Sequence, residues 1–462
     1  LNIEQQISQY LADENLVSAK NIVDTLDSND ITDIKTLMLC AMVYRGLNDY
    51  KKATEYLSIA AKIEPNNKTL ILTYCGDLIK LGGLDEAEQL LKKLIIKFPK
   101  DPYIPFQLSK IFYFKKDYRS ASKNLVNLIK KHPQFAAAHM ELAHALLIEG
   151  KWRAGWDQYE WRYQQASTKN MFPKFKMPHW DGFNNLDHIL LIADQGYGDC
   201  FQFSRYIPLV AEKCKKVTLM RSEPLGRILD SVPGVSVGIS KWENTPLTSA
   251  YCTLSGLPRL FETRPESIPN CSNLLKPSEE SIKTWKKRIQ TTKNKNKLKV
   301  GLTWSGRVEF ENNYLRALSF KNLENLLEIE NIEFYSLQVG APSKEIADKN
   351  IIDLSKELTD FSETAAAMEA LDLIITTDTS VAHLAGTLGK PTWILLNYSP
   401  DWRWGSEGSQ SAWYPSARLI RQDKDRDWDS VINQCSTMLK EITRAKSPKN
   451  SQLLLELTQK NS

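Results

Sequence analysis

Pro65, Pro99 and Pro133 are separated by 34 residues, and the same interval links Tyr50, Leu84, Tyr118 and Trp152. A third column, Ala53, Ala87 and Ala121, is completed by Gly155, and Leu16 and Ala19 carry the pattern one period back. Agreement among three columns of different residue type restricts the first third of the chain to stacked copies of one supersecondary unit. Each column has a steric role. The small residue lets two helices approach closely, the aromatic or leucine wedges between them, and the proline, which lacks an N–H, stops the second helix. Each unit then holds two amphipathic helices, for example 35–44 and 49–63, whose apolar faces cannot be buried without a neighbouring unit.

The chain has 462 residues, more than one hydrophobic core can serve, since cores stop growing near about 250–300 residues. At least two domains are expected. With 42% hydrophobic and 25% charged residues the composition is that of a globular protein, which excludes wholesale disorder, collagen and a coiled-coil rod. No run reaches the roughly 20 apolar residues of a membrane-spanning helix, and the N-terminal residues lack a secretory-signal pattern, so a cytoplasmic protein is expected. Seven cysteines are scattered and never arranged as C-x-x-C, and six histidines include no pair at i+3 or i+4. Reduced thiols and no bound metal follow. The net charge of +5 is spread along the chain, so no nucleic-acid partner is expected. One basic run, Lys283, Lys286, Lys287, Arg288, Lys293, Lys295, Lys297 and Lys299, reads as a solvated linker between domains. Trp152, Trp156, Tyr159, Trp161 and Tyr163 crowd together where the repeats end. They suit a capping helix pressed onto the following domain, or a stacking platform for sugar or peptide.

The repeats resemble the tetratricopeptide family over residues 1–166, as four to five units. Leu37 stands where that family places a tryptophan, and Ala41 or Cys75 supplies the small residue nearby. The resemblance implies a superhelix whose concave surface takes a peptide or a partner domain. Bracing of the next domain, or self-association, is the other use of such a surface.

From residue 188 the pattern changes to short β-rich runs separated by helical segments. Strands are expected at 188–193, 217–220, 236–239 and 250–254, then at 300–304, 334–339, 351–354, 373–377, 392–396 and 418–420, with helices beginning near Ser319, Ser362 and Ser380. Apolar strands alternating with helices mean parallel sheets covered on both faces, and two such blocks enclose a cleft. Ligands of open parallel sheets bind at the carboxyl ends of the strands. Three loops lie there. The first, Asp194-Gln195-Gly196-Tyr197-Gly198-Asp199, combines a glycine-permitted turn with an aspartate that is either a helix N-cap or a general base. The second, Asp378-Thr379-Ser380, opens a helix that also carries His383. A helix start of this kind suits phosphate, with His383 as a donor or as a packed core residue. The third, Trp304-Ser305-Gly306-Arg307, precedes Asn312, Asn313 and Arg316, and either arginine can meet phosphate or face solvent.

Together with the Asp-Trp-Arg-Trp (401–404) and Trp-Tyr-Pro (413–415) elements, the segments 194–208, 301–306 and 378–396 resemble bacterial tetratricopeptide-repeat proteins carrying a heptosyltransferase-like glycosyltransferase domain. The resemblance implies a GT-B architecture of two Rossmann-like domains facing a cleft, at 167–290 on the acceptor side and 291–440 on the nucleotide-sugar side, with a tail at 441–462. It also implies an inverting, metal-independent transferase with no cofactor, in which the nucleotide-sugar is the donor substrate. Asp199 then matches the catalytic base, and Asp378, Thr379, Ser380 and His383 match the segment that contacts the donor diphosphate, alongside Trp304, Ser305, Gly306 and Arg316. Gln195, Gly196, Gly198 and Gln202 would line the loop at the cleft, while Trp402 and Trp404 either stack on the donor or pack in the fold. Some repeat-bearing relatives glycosylate proteins, flagellin among them, with the polypeptide captured by the repeats. One departure is that 311–316, Glu311-Asn312-Asn313-Tyr314-Leu315-Arg316, lacks the aspartate the family often places before the arginine. Two other functions stay open: an adaptor with an inactive transferase domain, and a transferase for lipopolysaccharide or small molecules in which the repeats are a scaffold.

Overall fold

The computed structural model describes residues 2–28, 30–165, 168–271, 274–290, 297–308 and 313–444. The described residues up to Gly150, with Trp161–Thr168, form one compact unit; Lys151–Glu160 and the described residues from Lys169 onward form the other.

The first unit is helical: α1 (Ile3–Ala12), α2 (Leu16–Val23), α3 (Ile34–Gly46), α4 (Tyr50–Ile63), α5 (Lys68–Leu81), α6 (Leu84–Lys97), α7 (Tyr103–Phe114), α8 (Tyr118–Lys131) and α9 (Ala136–Ile148). Leu16, Tyr50, Leu84 and Tyr118 are the first residues of the second helix of each pair. Ala19, Ala53, Ala87 and Ala121 are fully buried, which leaves the paired helices no room for a larger side chain. Each proline follows directly on the C-cap of a second helix, Glu64, Phe98 or His132. Leu37 is also fully buried, so a leucine fills the place of the family's tryptophan. Helix starts are fixed by side-chain caps. The Asn67 carboxamide accepts the Leu70 N–H at 3.2 Å, and the Asp49 and Asp117 carboxylates accept the amides of Lys52 and Ser120, both at 3.0 Å. Asn67→Ala is expected to lower the stability of the helical unit by about 1 kcal/mol in urea unfolding; an unchanged midpoint would show that the cap contributes nothing.

The next helix in register, α10 (Trp152–Tyr159), lies in the second unit. Trp152 stacks on Trp413 with ring centroids 5.7 Å apart, Trp156 meets Trp402 edge-on at 5.2 Å, and the Trp156 indole N–H donates to the Thr263 carbonyl at 3.0 Å. Trp161, by contrast, stacks on His139 of α9 at 3.7 Å. The expected boundary at 166 therefore gives way to an interleaved one, because the α10 aromatics bury themselves in an aromatic cluster of the α/β unit.

That unit contains two wholly parallel sheets. The first holds β1 (Leu186–Ile192), β2 (Cys214–Met220), β3 (Val237–Ile239) and β4 (Ala250–Thr253) in the order β3-β2-β1-β4. Its connecting helices are α11 (Tyr197–Phe203), α12 (Ile207–Lys213), α13 (Gly226–Leu229) and α14 (Leu257–Leu260), and α15 (Glu279–Gln290) follows. The second sheet holds β5 (Leu298–Thr303), β6 (Ile332–Ser336), β7 (Ile352–Asp353), β8 (Leu373–Thr377), β9 (Thr392–Leu396) and β10 (Ala417–Arg421) in the order β10-β9-β8-β5-β6-β7. Its helices are α16 (Asn313–Arg316), α17 (Phe320–Leu323), α18 (Phe361–Glu369), α19 (Ser380–Thr387) and α20 (Trp428–Arg444). In the second sheet the first three strands run outward from β5 and the last three outward on its other side, the order of a doubly wound sheet. The direction of winding reverses between β5 and β8, and likewise between β1 and β4. Strands β5, β8 and β9 are buried along their whole length, as expected for the centre of a sheet covered on both faces.

The described part of the basic run is not a solvated linker. Lys283, Lys286, Lys287 and Arg288 lie on α15, and Lys299 is a buried residue of β5. Lys293 and Lys295 lie outside the described residues. Trp285 and Ile289, one turn apart, are buried, and this apolar stripe holds α15 in place despite its lysines. No helix among the described residues is long and apolar enough to cross a membrane.

Candidate functional site

In the first sheet the chain leaves β1 through Asp194, which is 3% exposed. Its carboxylate accepts the Ser255 N–H at 3.0 Å and the Ser255 hydroxyl, tying the ends of β1 and β4 together at the switch point. Gln195, not either glycine of the loop, takes the left-handed conformation (φ 66°). Gly196 then N-caps α11, and Asp199 Oδ2 accepts the Gly196 N–H at 3.0 Å. Asp199 thus does serve the helix start. Gly198 has another reason to be glycine: a Cβ there would lie 2.5 Å from His383 Cδ2. The α11 loop of the first sheet is therefore seated directly on α19 of the second.

On the opposite side, the loop after β5 is held by two amide side chains. Gln338 Oε1 accepts the N–H groups of Trp304 (3.1 Å) and Ser305 (2.9 Å). Asn313 accepts the Gly306 N–H at 3.0 Å and donates to Ser305 Oγ at 3.1 Å. Asn313 also begins α16, whose last residue is Arg316, and Arg316 Nη1 comes within 3.8 Å of Asp378 Oδ2 at the end of β8. Burial raises the Asp378 carboxyl above its ordinary range, opposed by Arg316. Thr379 follows as the N-cap of α19 but forms no side-chain cap bond; its hydroxyl pairs with that of Thr376 at 3.1 Å. The start of α19, with Ser380 partly exposed, thus stands next to Arg316 at the β5/β8 reversal. Helix amides and a guanidinium are the donors an anion accepts from.

His383 is 5% exposed, its Nδ1 2.8 Å from the Tyr414 hydroxyl and its ring 5.1 Å from that of Trp404. Burial, reinforced by nearby Arg403, drives its pKa well below the ordinary value, so the imidazole is neutral and supplies no positive charge to a phosphate. Of its two expected readings, a donor to phosphate or a packed core residue, His383 takes the packed one.

The two sides meet at Arg403, on the 3-10 turn Trp402–Trp404 after β9. Its Nε donates to Gln202 Oε1 at 2.8 Å, Nη1 to Asp401 Oδ1 at 2.8 Å, and Nη2 to Asp199 Oδ1, with the Tyr159 hydroxyl 3.5 Å from Nη2. Burial raises the Asp199 carboxyl, while Arg403 and the Gly196 amide act to keep it ionised. Gln202 is fully buried, on the turn of α11 beyond Asp199.

Trp304, expected at the donor, and Trp402 and Trp404, expected either to stack on it or to pack in the fold, are all packed. Trp304 is fully buried on Phe320, 4.8 Å between ring centroids, because strand alternation carries it into the core behind Leu298, Val300 and Leu302. Trp402 packs on Trp156, and Trp404 lies against His383 and Tyr414; both are buried by protein, so neither ring offers a free face to a nucleobase. Arg307 is exposed, which leaves Arg316 as the arginine of the switch point. Glu311 and Asn312 lie outside the described residues. Sequence reasoning missed Arg403, Tyr414 and Gln338. An arginine set between two tryptophans in Asp401-Trp402-Arg403-Trp404 was the available signal for the first; the other two carry none.

The tetratricopeptide-repeat family signature matches residues 44–104, from the end of α3 to the start of α7. This stretch of the helical unit therefore carries tetratricopeptide repeats. Protein FlbA of Caulobacter vibrioides is 26% identical over 460 residues, an alignment covering 88% of this chain and 72% of FlbA. Among solved structures, MamA from Desulfovibrio magneticus RS-1 is 13% identical, covering 34% of this chain and 89% of its own, with a TM-score of 0.31. A tetratricopeptide repeat protein from Parabacteroides merdae is 16% identical, covering 34% of this chain and 62% of its own, with a TM-score of 0.32.

Proposed function

We propose that this chain is an inverting, metal-independent glycosyltransferase of the GT-B, heptosyltransferase-like type, moving a sugar from a nucleotide-sugar to a polypeptide held by its repeats. The observation that carries the reading is the convergence of the Ser305-Gly306 loop, Arg316 and the start of α19 where the six-stranded sheet reverses. A donor diphosphate placed there meets helix amides and the Arg316 guanidinium, which must exchange Asp378 for phosphate. In the reaction the acceptor oxygen bonds to the anomeric carbon, the bond from that carbon to the diphosphate oxygen breaks, and the acceptor proton passes to Asp199. The leaving nucleoside diphosphate takes the electron pair, its charge met by Arg316 and the α19 N-terminus. Tetratricopeptide repeats support capture of a polypeptide, and flagellin or another surface protein, modified in the cytoplasm, is the acceptor class that the sequence resemblance implies.

A specific observation favours a second reading, an adaptor with an inactive α/β unit: both Asp199 oxygens are already engaged, one by Gly196 and one by Arg403. Consumption of a nucleotide-sugar that rises on addition of a bound polypeptide supports the transferase. Binding of polypeptide with no consumption of UDP-, GDP-, ADP-, TDP- or CMP-sugars supports the adaptor.

A further inference from the structure

We propose that Arg403 is the positioning residue for Asp199, clamping the carboxylate in the orientation from which it accepts the acceptor proton. The inference rests on the transferase reading. Its basis is a guanidinium whose two terminal nitrogens and Nε each have a separate partner. Asp401 comes from the same turn as Arg403, whereas Asp199 and Gln202 come from α11, so the fork fixes the α11 helix relative to the turn after β9. The guanidinium carbon also lies over two aromatic rings, 4.4 Å from the Trp402 centroid and 6.0 Å from that of Phe203. A planar, rigid fork suits this task and a lysine ammonium does not.

The charged and titratable groups around Asp199 are Arg403 and Asp401 from the turn after β9, Asp194 from the end of β1, Cys200 on its own helix, Tyr159 from α10 and His383 across Gly198. Of these only Arg403 is positive. His383 is neutral, and the acids favour protonation of Asp199. Removing Arg403 takes away the cation that opposes the burial, so Asp199 gains its proton at higher pH. A base must be ionised to act, and the acid limb of the kcat profile therefore moves to higher pH.

The test is nucleotide-sugar turnover by the full chain and by Arg403→Gln and Arg403→Lys, across pH, with KM for donor measured alongside. Arg403→Gln is expected to lose about 10–100-fold in kcat, part of what a general base supplies, with the acid limb displaced upward and KM for donor within about twofold of wild type. Arg403→Lys keeps the charge but not the fork: its acid limb should return toward the wild-type position while kcat stays about tenfold low. Should the glutamine variant not fold, the lysine variant decides, and wild-type kcat in it overturns the proposal. An unshifted acid limb in a folded Arg403→Gln enzyme overturns the positioning role alone. A wild-type chain that turns over none of the nucleotide-sugars overturns the transferase reading, and the role of Arg403 with it.

Discussion

Asp199→Asn is expected to retain nucleotide binding and to lower sugar transfer by about 10²–10⁴-fold, the usual worth of a positioned general base. The substitution is well suited to the site. An asparagine carbonyl can still accept the Gly196 N–H that starts α11, and Arg403 keeps Asp401 and Gln202 as partners. The fold should survive, and what disappears is the ability to take a proton. A nucleotide-induced rise in melting temperature equal to that of the wild type, combined with single-turnover transfer below detection, is the expected pair of results. Transfer at the wild-type rate would reduce Asp199 to a cap and an ion-pair partner.

The largest stability effect is expected at Trp156. Its indole is 1% exposed, edge-on to Trp152 (5.9 Å), Tyr159 (5.9 Å) and Trp402 (5.2 Å), and hydrogen-bonded to the Thr263 carbonyl. Trp156→Ala leaves a cavity among large rings that cannot collapse into it and strands that carbonyl, a loss of about 3–5 kcal/mol for the α/β unit. Trp156→Phe keeps a ring and removes the N–H, so about 1 kcal/mol should go with the hydrogen bond, in addition to a smaller packing loss. Urea unfolding followed by near-ultraviolet circular dichroism separates the two variants. A cost under about 1 kcal/mol for the alanine would contradict the packing account given for α10.

How far the sequence could be read depended on whether a residue's environment is local. Strands β8 and β9 fall at the expected 373–377 and 392–396, because uninterrupted apolar runs bounded by helix signals have few other uses. The start of every second helix was fixed by the 34-residue period, since each unit repeats the same contacts with its neighbours. Failures came where composition masked periodicity or where contacts were distant. On α15 eight lysine and arginine positions in and after the helix outweighed the Trp285–Ile289 stripe. Trp304 was assigned to the donor with the loop that it opens, whereas the inward alternation of Leu298, Val300 and Leu302 carries its ring into the core. Within the candidate site, the Asp199 loop and the Asp378–Ser380 helix start were legible as loop chemistry. The bond joining Asp199 to Arg403, on a different sheet and 204 residues further along the chain, was not, because nothing in either segment names its partner. The need for glycine at 198 was likewise invisible, being imposed by the His383 ring of a different sheet.

The central claim is that the β5/β8 reversal holds a nucleoside diphosphate without a divalent cation. Calorimetric titration of the full chain with UDP, GDP, ADP and TDP in the presence of EDTA tests this directly. Saturable binding by one of them, abolished in a folded Arg316→Ala chain and kept in Asp199→Asn, is the predicted result. Failure of all of them to bind, or binding that Arg316→Ala leaves intact, would contradict it.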